Sequence, residues 1–205
     1  EDGSQVTFTN ASGIYTPTAP RYDATLTKSG TAYTFTRTSK EVFTFDTATG
    51  RLTAETDIVG AKAVPAYATE LAYDASGHLA TVTDPGGRVY TLTWTGSHIT
   101  GLKDTAGRQV TYAYDTAGNL SDVYGAGTTR TPALLNDDHT VYTYTAAHLM
   151  ASVRSPAQYG STATPAPVTS MTYDSSERVL TQTDPTGKTT GFVYGPNAAA
   201  GLVAG

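Results

Sequence analysis

With no cysteine in the chain, any chemistry must come from its acids and its four histidines, His78, His98, His139 and His148. No two histidines stand in a His-Glu-x-x-His arrangement, so no helical pair of zinc ligands is set up. Asp137-Asp138-His139 is the one acid–histidine cluster. It could supply an acid/base pair or two metal ligands, but its loop-like surroundings make a solvated loop the plainer explanation. There is no Gly-x-Ser-x-Gly elbow and no phosphate-cradling glycine loop opening a helix. Scattered aspartates could form a glycosidase pair, yet most of them occupy turn positions, described next. The residue types therefore predict a chain without a catalytic site, cofactor or metal.

The elements that carry these residues are set by repetition. Asp84-Pro85-Gly86-Gly87-Arg88 runs into Val89-Tyr90-Thr91-Leu92-Thr93-Trp94, and Asp104-Thr105-Ala106-Gly107-Arg108 runs into Gln109-Val110-Thr111-Tyr112-Ala113-Tyr114. Asp84 to Asp104 and Trp94 to Tyr114 are each 20 residues apart. A fixed period of this length marks a repeat architecture. A second signature, aromatic–Asp–x–x–Gly, recurs at Tyr73-Asp74 with Gly77 and Tyr114-Asp115 with Gly118; Phe45-Asp46 reaches its Gly50 one residue later, and Tyr173-Asp174 has Glu177 at the Gly position. A last Asp184-Pro185-Thr186-Gly187-Lys188 leads to Phe192-Val193-Tyr194, while the copy at Tyr142–Tyr144 is degenerate, its Thr145-Ala146-Ala147-His148 lacking both Asp and Gly.

Each part of the unit has a physical reason. Aromatics at i and i+2 in a strand share one face and the intervening threonines share the other. Asp after the aromatic accepts backbone N–H bonds and starts a turn, and the following Gly supplies the positive φ. Asp-Pro-x-Gly does the same at the other end of the strand pair. The unit is then strand, turn, strand, turn, about 20 residues per hairpin. His78 occupies the position held by Arg51, Asn119 and Arg178, which predicts a turn-flanking surface residue. Leu79/Val82, Ile99/Leu102, Leu120/Val123 and Met150/Val153 are spaced by three; a bulge that adds one residue returns both side chains to the same face, and repeated bulges would curl the sheet.

Residues 1–42 predict divergent lead-in strands, with a hairpin of Ala24–Lys28 against Ala32–Thr36 across Ser29-Gly30. Residues 43–197 predict the repeat strip proper, and residues 198–205 a tail. Insertions rich in Gly, Pro, Ala or Thr fall at 58–69, 125–138 and 156–167 and predict surface loops. Thr makes up about a fifth of the chain, well above ordinary usage. A net charge of −5 and a pI of about 5.2 exclude the basic footprint of a nucleic-acid binder. No apolar run approaches the ~20 residues of a membrane-spanning helix. The chain starts Glu1-Asp2-Gly3 without Met or a signal peptide, so it is expected to be a piece of something longer.

The pattern Tyr-Asp-x-x-Gly-x-Leu-x-x-Val-x-Asp-x-x-Gly-Arg, carried by Tyr73–Arg88 and echoed at Tyr114–Val123 and Tyr173–Lys188, resembles the YD repeats of the RHS family. That family includes bacterial polymorphic toxins, the shell components of insecticidal Tc toxins and the teneurins. The resemblance covers roughly Val42 to Tyr194. It implies an all-β array of seven or eight antiparallel hairpins forming a strongly curled, spiral sheet, a wall of a hollow shell that encloses or presents a C-terminal toxin or effector polypeptide. It further implies a secreted or cell-surface bacterial protein whose partners are the rest of the shell and the enclosed polypeptide. The family's autoproteolytic closure places two Asp-Pro-x-Gly elements close together; here Asp84-Pro85 and Asp184-Pro185 are 100 residues apart, so both are expected to be turns. Phe45, Asp46, Gly50, Tyr73, Asp74, Gly77, Asp84, Gly87, Arg88, Trp94, Asp104, Gly107, Arg108, Tyr114, Asp115, Gly118, Tyr173, Asp174, Asp184 and Gly187 are then repeat-defining structural residues. A different role is open to the aromatic rows, which could stack on sugar rings in an adhesion or carbohydrate-binding module; the plainer role is a cross-strand ladder holding the sheet together. Open sheet edges invite self-association, unless the lead-in or the tail 198–205 caps them.

Overall fold

The computed structural model describes residues 5–18, 23–64, 66–126, 139–158, 168–195 and 203–204. They fall into two compact units, one of Glu1–Trp94 with Lys103–Gly107, the other of Thr95–Leu102 with Arg108–Gly205. Both are antiparallel β-structure in which consecutive strands are hydrogen-bonded in sequence order. No helix among the described residues is long and apolar enough to cross a membrane.

The first unit opens with a separate two-stranded sheet, β1 (Phe8–Ala11) and β2 (Ile14–Pro17). The main strip follows: β3 (Thr25–Ser29), β4 (Ala32–Thr36), β5 (Glu41–Asp46), β6 (Leu52–Asp57), β7 (Thr69–Tyr73), β8 (Leu79–Thr83) and β9 (Val89–Thr95). The Ser29-Gly30 signal does close a hairpin, with Leu26 opposite Phe35 and Gly30 at φ 56. The β1–β2 hairpin lies on the aromatic side of the strip, Phe8 edge-on to Phe35 at 6.0 Å and Tyr15 edge-on to Tyr33 at 5.9 Å. The lead-in thus covers a face of the sheet.

The insertion after β6 is more ordered than a surface loop. Residues Ile58–Lys62 form a short helix, α1, whose N-cap Asp57 accepts from the Gly60 amide at 2.6 Å. Thr56 Oγ1 donates to the Tyr67 carbonyl at 2.7 Å and the Tyr67 amide to the Gly60 carbonyl at 3.2 Å. Thr56 is opposite Val42, so the insertion covers the face opposite Phe43 and Phe45. Composition flagged a Gly/Pro/Ala-rich segment; the N-cap and the close approach at Gly60 turned part of it into structure.

The second unit comprises β10 (His98–Lys103), β11 (Gln109–Tyr114), β12 (Leu120–Tyr124), β13 (Thr140–Tyr144), β14 (Met150–Arg154), β15 (Thr169–Tyr173), β16 (Val179–Thr183), β17 (Thr189–Gly191) and β18 (Val203–Ala204). A 3-10 turn spans Pro156–Gln158. The remainder of the 125–138 and 156–167 insertions, from 127 and from 159, lies outside the described residues, as does the tail apart from β18.

The predicted bulge is present in five hairpins. Phe45 pairs with Leu52 but Thr44 with Ala54, leaving Thr53 extra; Ala80, Ser121, Ala151 and Leu180 are extra in the same way. The three-residue spacing of Leu79/Val82, Leu120/Val123 and Met150/Val153 is this inserted residue. The opposite face carries the predicted hydroxyl pairs, Thr143 with Ser152 at 2.6 Å, Thr172 with Thr181 at 2.6 Å and Thr183 with Thr189 at 2.8 Å. Burial is shallow. Among the described residues the buried apolar side chains are Ala24 and Val42 alone.

Candidate functional site

The repeat-defining residues meet at the turns and at the junctions between successive hairpins. In each turn one Asp oxygen collects backbone amides: Asp74 accepts from His78 at 2.8 Å, Asp84 from Gly86 and Arg88 at 2.9 Å each, Asp115 from Ala117 and Asn119 at 2.9 Å each. Asp174 and Asp184 do the same for Ser176/Arg178 and Thr186/Lys188. Asp104 closes its turn through the Gly107 amide at 3.0 Å. The Asp46 turn is one residue longer, with Gly50 donating to the Asp46 carbonyl and Thr49 to its carboxylate. Bonds to the ionised form lower a carboxyl pKa. Six turn carboxyls therefore sit below the ordinary Asp range: Asp46 through the Thr49 hydroxyl, Asp74 through the His78 amide, Asp84 through the Arg88 amide, Asp115 through the Asn119 side chain, Asp174 through the Arg178 guanidinium and Asp184 through the Thr186 hydroxyl.

The copy that lacks both Asp and Gly still makes its turn. Thr145 Oγ1 accepts from Ala147 at 3.3 Å and Leu149 at 3.2 Å. His148 takes the left-handed position at φ 62, and Glu177 does so in the last YD turn. These two residues adopt a backbone that ordinarily selects Gly.

The aromatic of each unit reaches back to the hairpin before it. Tyr73 Oη donates to the Leu52 carbonyl at 2.8 Å, Trp94 Nε1 to Leu79 at 2.8 Å, Tyr114 to Ile99 at 2.8 Å, Tyr144 to Leu120 at 2.9 Å, Tyr173 to Met150 at 2.7 Å and Tyr194 to Val179 at 2.9 Å. The acceptor is the first strand residue after the turn in five of the six cases and the second, Ile99, in the other. Between hairpins the ladder is short: β6 and β7 pair only at Ala54/Glu70 and Glu55/Thr69, β12 and β13 only at two positions, β14 and β15 likewise. The side-chain donor thus adds a bond to backbone between hairpins whose own ladder is short.

A second rung lies on top of these rings, and sequence reasoning missed it. The Arg51 guanidinium sits 5.2 Å from the Tyr73 ring centre, His78 stacks on Trp94 at 4.7 Å, His98 lies on Tyr114 at 4.3 Å, and Arg178 sits 4.5 Å over Tyr194. Each comes from the hairpin preceding the ring it covers. His78, expected as a plain surface residue, is thus a packing residue, also 3.4 Å from Asp74. The turn glycine of the next hairpin lies beneath the same side chain; a Cβ on Gly77 would fall 1.9 Å from Arg51 and one on Gly118 3.6 Å from His98. His148, at the glycine position, instead bonds Asn119 at 2.7 Å. The signal available in the sequence was the run of Arg, His and Asn after the turn glycine.

The acid–histidine cluster resolves differently from its sequence. Asp137 and Asp138 lie outside the described residues. His139 is buried, 9% exposed, stacked on Tyr124 at 4.4 Å with Nε2 3.0 Å from Asp122 Oδ1. Ser121 Oγ donates to the other Asp122 oxygen at 2.6 Å. The carboxylate thus stands between serine and histidine, whereas a nucleophile–base pair needs the serine on the imidazole. No group of three or more potential metal ligands occurs among the described residues.

A cleft of ≈ 450 Å³ opens between the β1–β2 hairpin and the sheet, lined by Val6, Thr7, Phe8, Tyr15, Leu26, Tyr33, Phe45 and Gly50.

An antiparallel array of Asp-closed, bulged hairpins joined by aromatic rungs defines a β-hairpin repeat protein, and residues 73–98 match the RHS repeat. In that stretch the chain is similar to RHS-repeat proteins. Its fold is that of solved Tc toxin components. It is 17% identical to the Photorhabdus luminescens Tc holotoxin pore structure, with a TM-score of 0.53 over 82% of this chain and 9% of that one. It is 17% identical to a TcdB2–TccC3–Cdc42 structure, with a TM-score of 0.56 over 82% of this chain and 10% of that one. A TcdB2–TccC3 structure gives a TM-score of 0.52 at 17% identity, again over 82% and 10%. The chain therefore spans about a tenth of the length of the structures it resembles. No curated protein sequence matches it.

Proposed function

We propose that this chain is a wall segment of a curled β-shell in a longer, exported RHS/YD-repeat protein that encloses or presents a toxin or effector polypeptide, and that its role is structural rather than catalytic. The observation that carries this reading is the shallow core. The aromatic faces of the hairpins are only half-buried, and two apolar side chains are buried among the described residues. A sheet ordinarily needs a second layer against its apolar face, and further turns of shell or an enclosed chain would supply it. The fold shared with Tc toxin components and the small share of those chains covered support the same reading. The sugar-binding alternative draws little support from the rings, because their polar edges are committed to backbone carbonyls and several of their faces to Arg or His.

Limited proteolysis of the full-length parent protein, followed by mass spectrometry, tests the proposal. An enclosed polypeptide stays intact until the repeat sheet itself is cut. Immediate digestion of every other segment while the repeats survive would remove the basis for enclosure.

A further inference from the structure

The first unit carries an apolar hollow on one face of its sheet and an apolar knob on the other. The hollow is the ≈ 450 Å³ cleft beneath the β1–β2 hairpin, walled by Val6, Phe8, Tyr15, Leu26, Tyr33 and Phe45. It opens on the aromatic face, and none of its lining residues is an acid or a base. The knob is the insertion after β6, which covers the opposite face at Val42. There Val64 is 99% exposed, Val59 68% and Tyr67 42%. A lone exposed valine is ordinary on a protein surface. These residues stand together on a segment fixed by the Asp57 cap, the Thr56–Tyr67 bond and the Tyr67–Gly60 bond. An anchored segment loses little freedom when it docks, so more of the apolar gain is kept.

We propose that knob and cleft are the two halves of a contact between copies of this chain, the Val59/Val64 knob of one copy entering the cleft of the next. Within one copy they lie on opposite faces of the same sheet, so the knob cannot fill its own cleft. A charged group entering the uncharged cleft would lose its water without gaining a partner. A valine instead removes apolar surface from water on both sides of the contact. Lys62, the one charge within residues 58–68, has a long apolar stem that lets its ammonium stay in water. A contact that joins opposite faces is heterologous. It leaves a free knob at one end and a free cleft at the other, so it grows into longer assemblies instead of closing as a pair. The inference rests on these two surfaces and stands apart from the shell proposal.

Sedimentation equilibrium of the 205-residue chain tests the contact. The weight-average mass should rise with concentration through the high micromolar range and pass that of a pair. Val64→Asp charges the knob, and Thr7→Glu charges the cleft, which Thr7 also lines. Both positions are exposed, so neither change disturbs the fold. Each variant alone should associate at least about tenfold more weakly than the parent chain. An equimolar mixture of the two holds one intact cleft and one intact knob. It should regain the parent affinity and stop at a one-to-one pair. Pairing of open sheet edges, strand on strand, would be insensitive to both substitutions. The proposal is overturned by a parent chain that stays monomeric up to about 1 mM, by association that survives both substitutions, or by a mixture that associates no better than its components.

Discussion

Replacing tyrosine by phenylalanine at the hairpin junctions removes one oxygen and leaves each ring in place, so it isolates the rung. Tyr114→Phe, Tyr144→Phe and Tyr173→Phe delete bonds of 2.8, 2.9 and 2.7 Å to the carbonyls of Ile99, Leu120 and Met150. A neutral hydrogen bond contributes about 0.5–1.5 kcal/mol net. Successive hairpins lie two strand spacings apart, roughly 10 Å, so the three losses should add to within about 0.5 kcal/mol. The triple variant is therefore expected to lose about 3 kcal/mol. Urea unfolding measures the sum, and hydrogen exchange locates it, because a repeat array opens unit by unit. Protection should fall at the amides flanking each altered junction. Tyr90→Phe, whose side chain is 42% exposed, is the matched control and should change stability by less than about 0.5 kcal/mol. If the three junction variants behave like Tyr90→Phe, the rungs contribute nothing and the account of the repeated aromatic is wrong.

Four other outcomes follow from the same geometry. Gly60→Ala places a Cβ 2.3 Å from Thr56 Oγ1 and 2.8 Å from the Tyr67 carbonyl, so it should cost about 1–3 kcal/mol and expose residues 58–67 to protease; an unchanged cleavage pattern would contradict this packing. Glu177→Gly should stabilise by about 1 kcal/mol in urea unfolding, because the φ of 62 that Glu177 holds is strained for a side chain and free for Gly. The six turn carboxyls have folded-state pKa values below their unfolded ones, so their contribution is complete above the ordinary Asp range of about 3.9 and is lost as pH falls through the lowered values. Unfolding free energy should accordingly be flat in this term from pH 7 to about 5 and fall below about 4; a loss that begins near pH 6 would point elsewhere. Trp94→Phe removes both the bond to Leu79 and part of the stack on His78, and its loss in urea unfolding should exceed that of Tyr114→Phe.

Period, alternation and turn chemistry made the repeat, its hairpins and its bulges legible in the sequence, because each depends on contacts a few residues apart. Leu120/Val123 announced the extra Ser121, and Asp84-Pro85-Gly86-Gly87 announced its own turn. What was illegible depends on the neighbouring hairpin. His78 looks solvent-facing until Trp94, sixteen residues on, is placed beneath it. The turn at Thr145 seemed broken because a hydroxyl can replace a carboxylate as the amide acceptor, and His148 can take a backbone that Gly takes more easily. Residues 58–69 looked like a loop because the N-cap Asp57 sits at the end of a strand and the helix it starts is five residues long. Asp137-Asp138-His139 suggested a local cluster, whereas His139 faces Asp122 on the adjacent strand.

The most direct test of the wall-segment proposal is an electron cryomicroscopy reconstruction of the longer parent protein. The account predicts continuous sheet at these hairpins, with their half-buried aromatic side covered by further protein and a separate polypeptide density within the enclosure. A reconstruction in which the hairpins project into solvent with both faces bare, enclosing nothing, would contradict it.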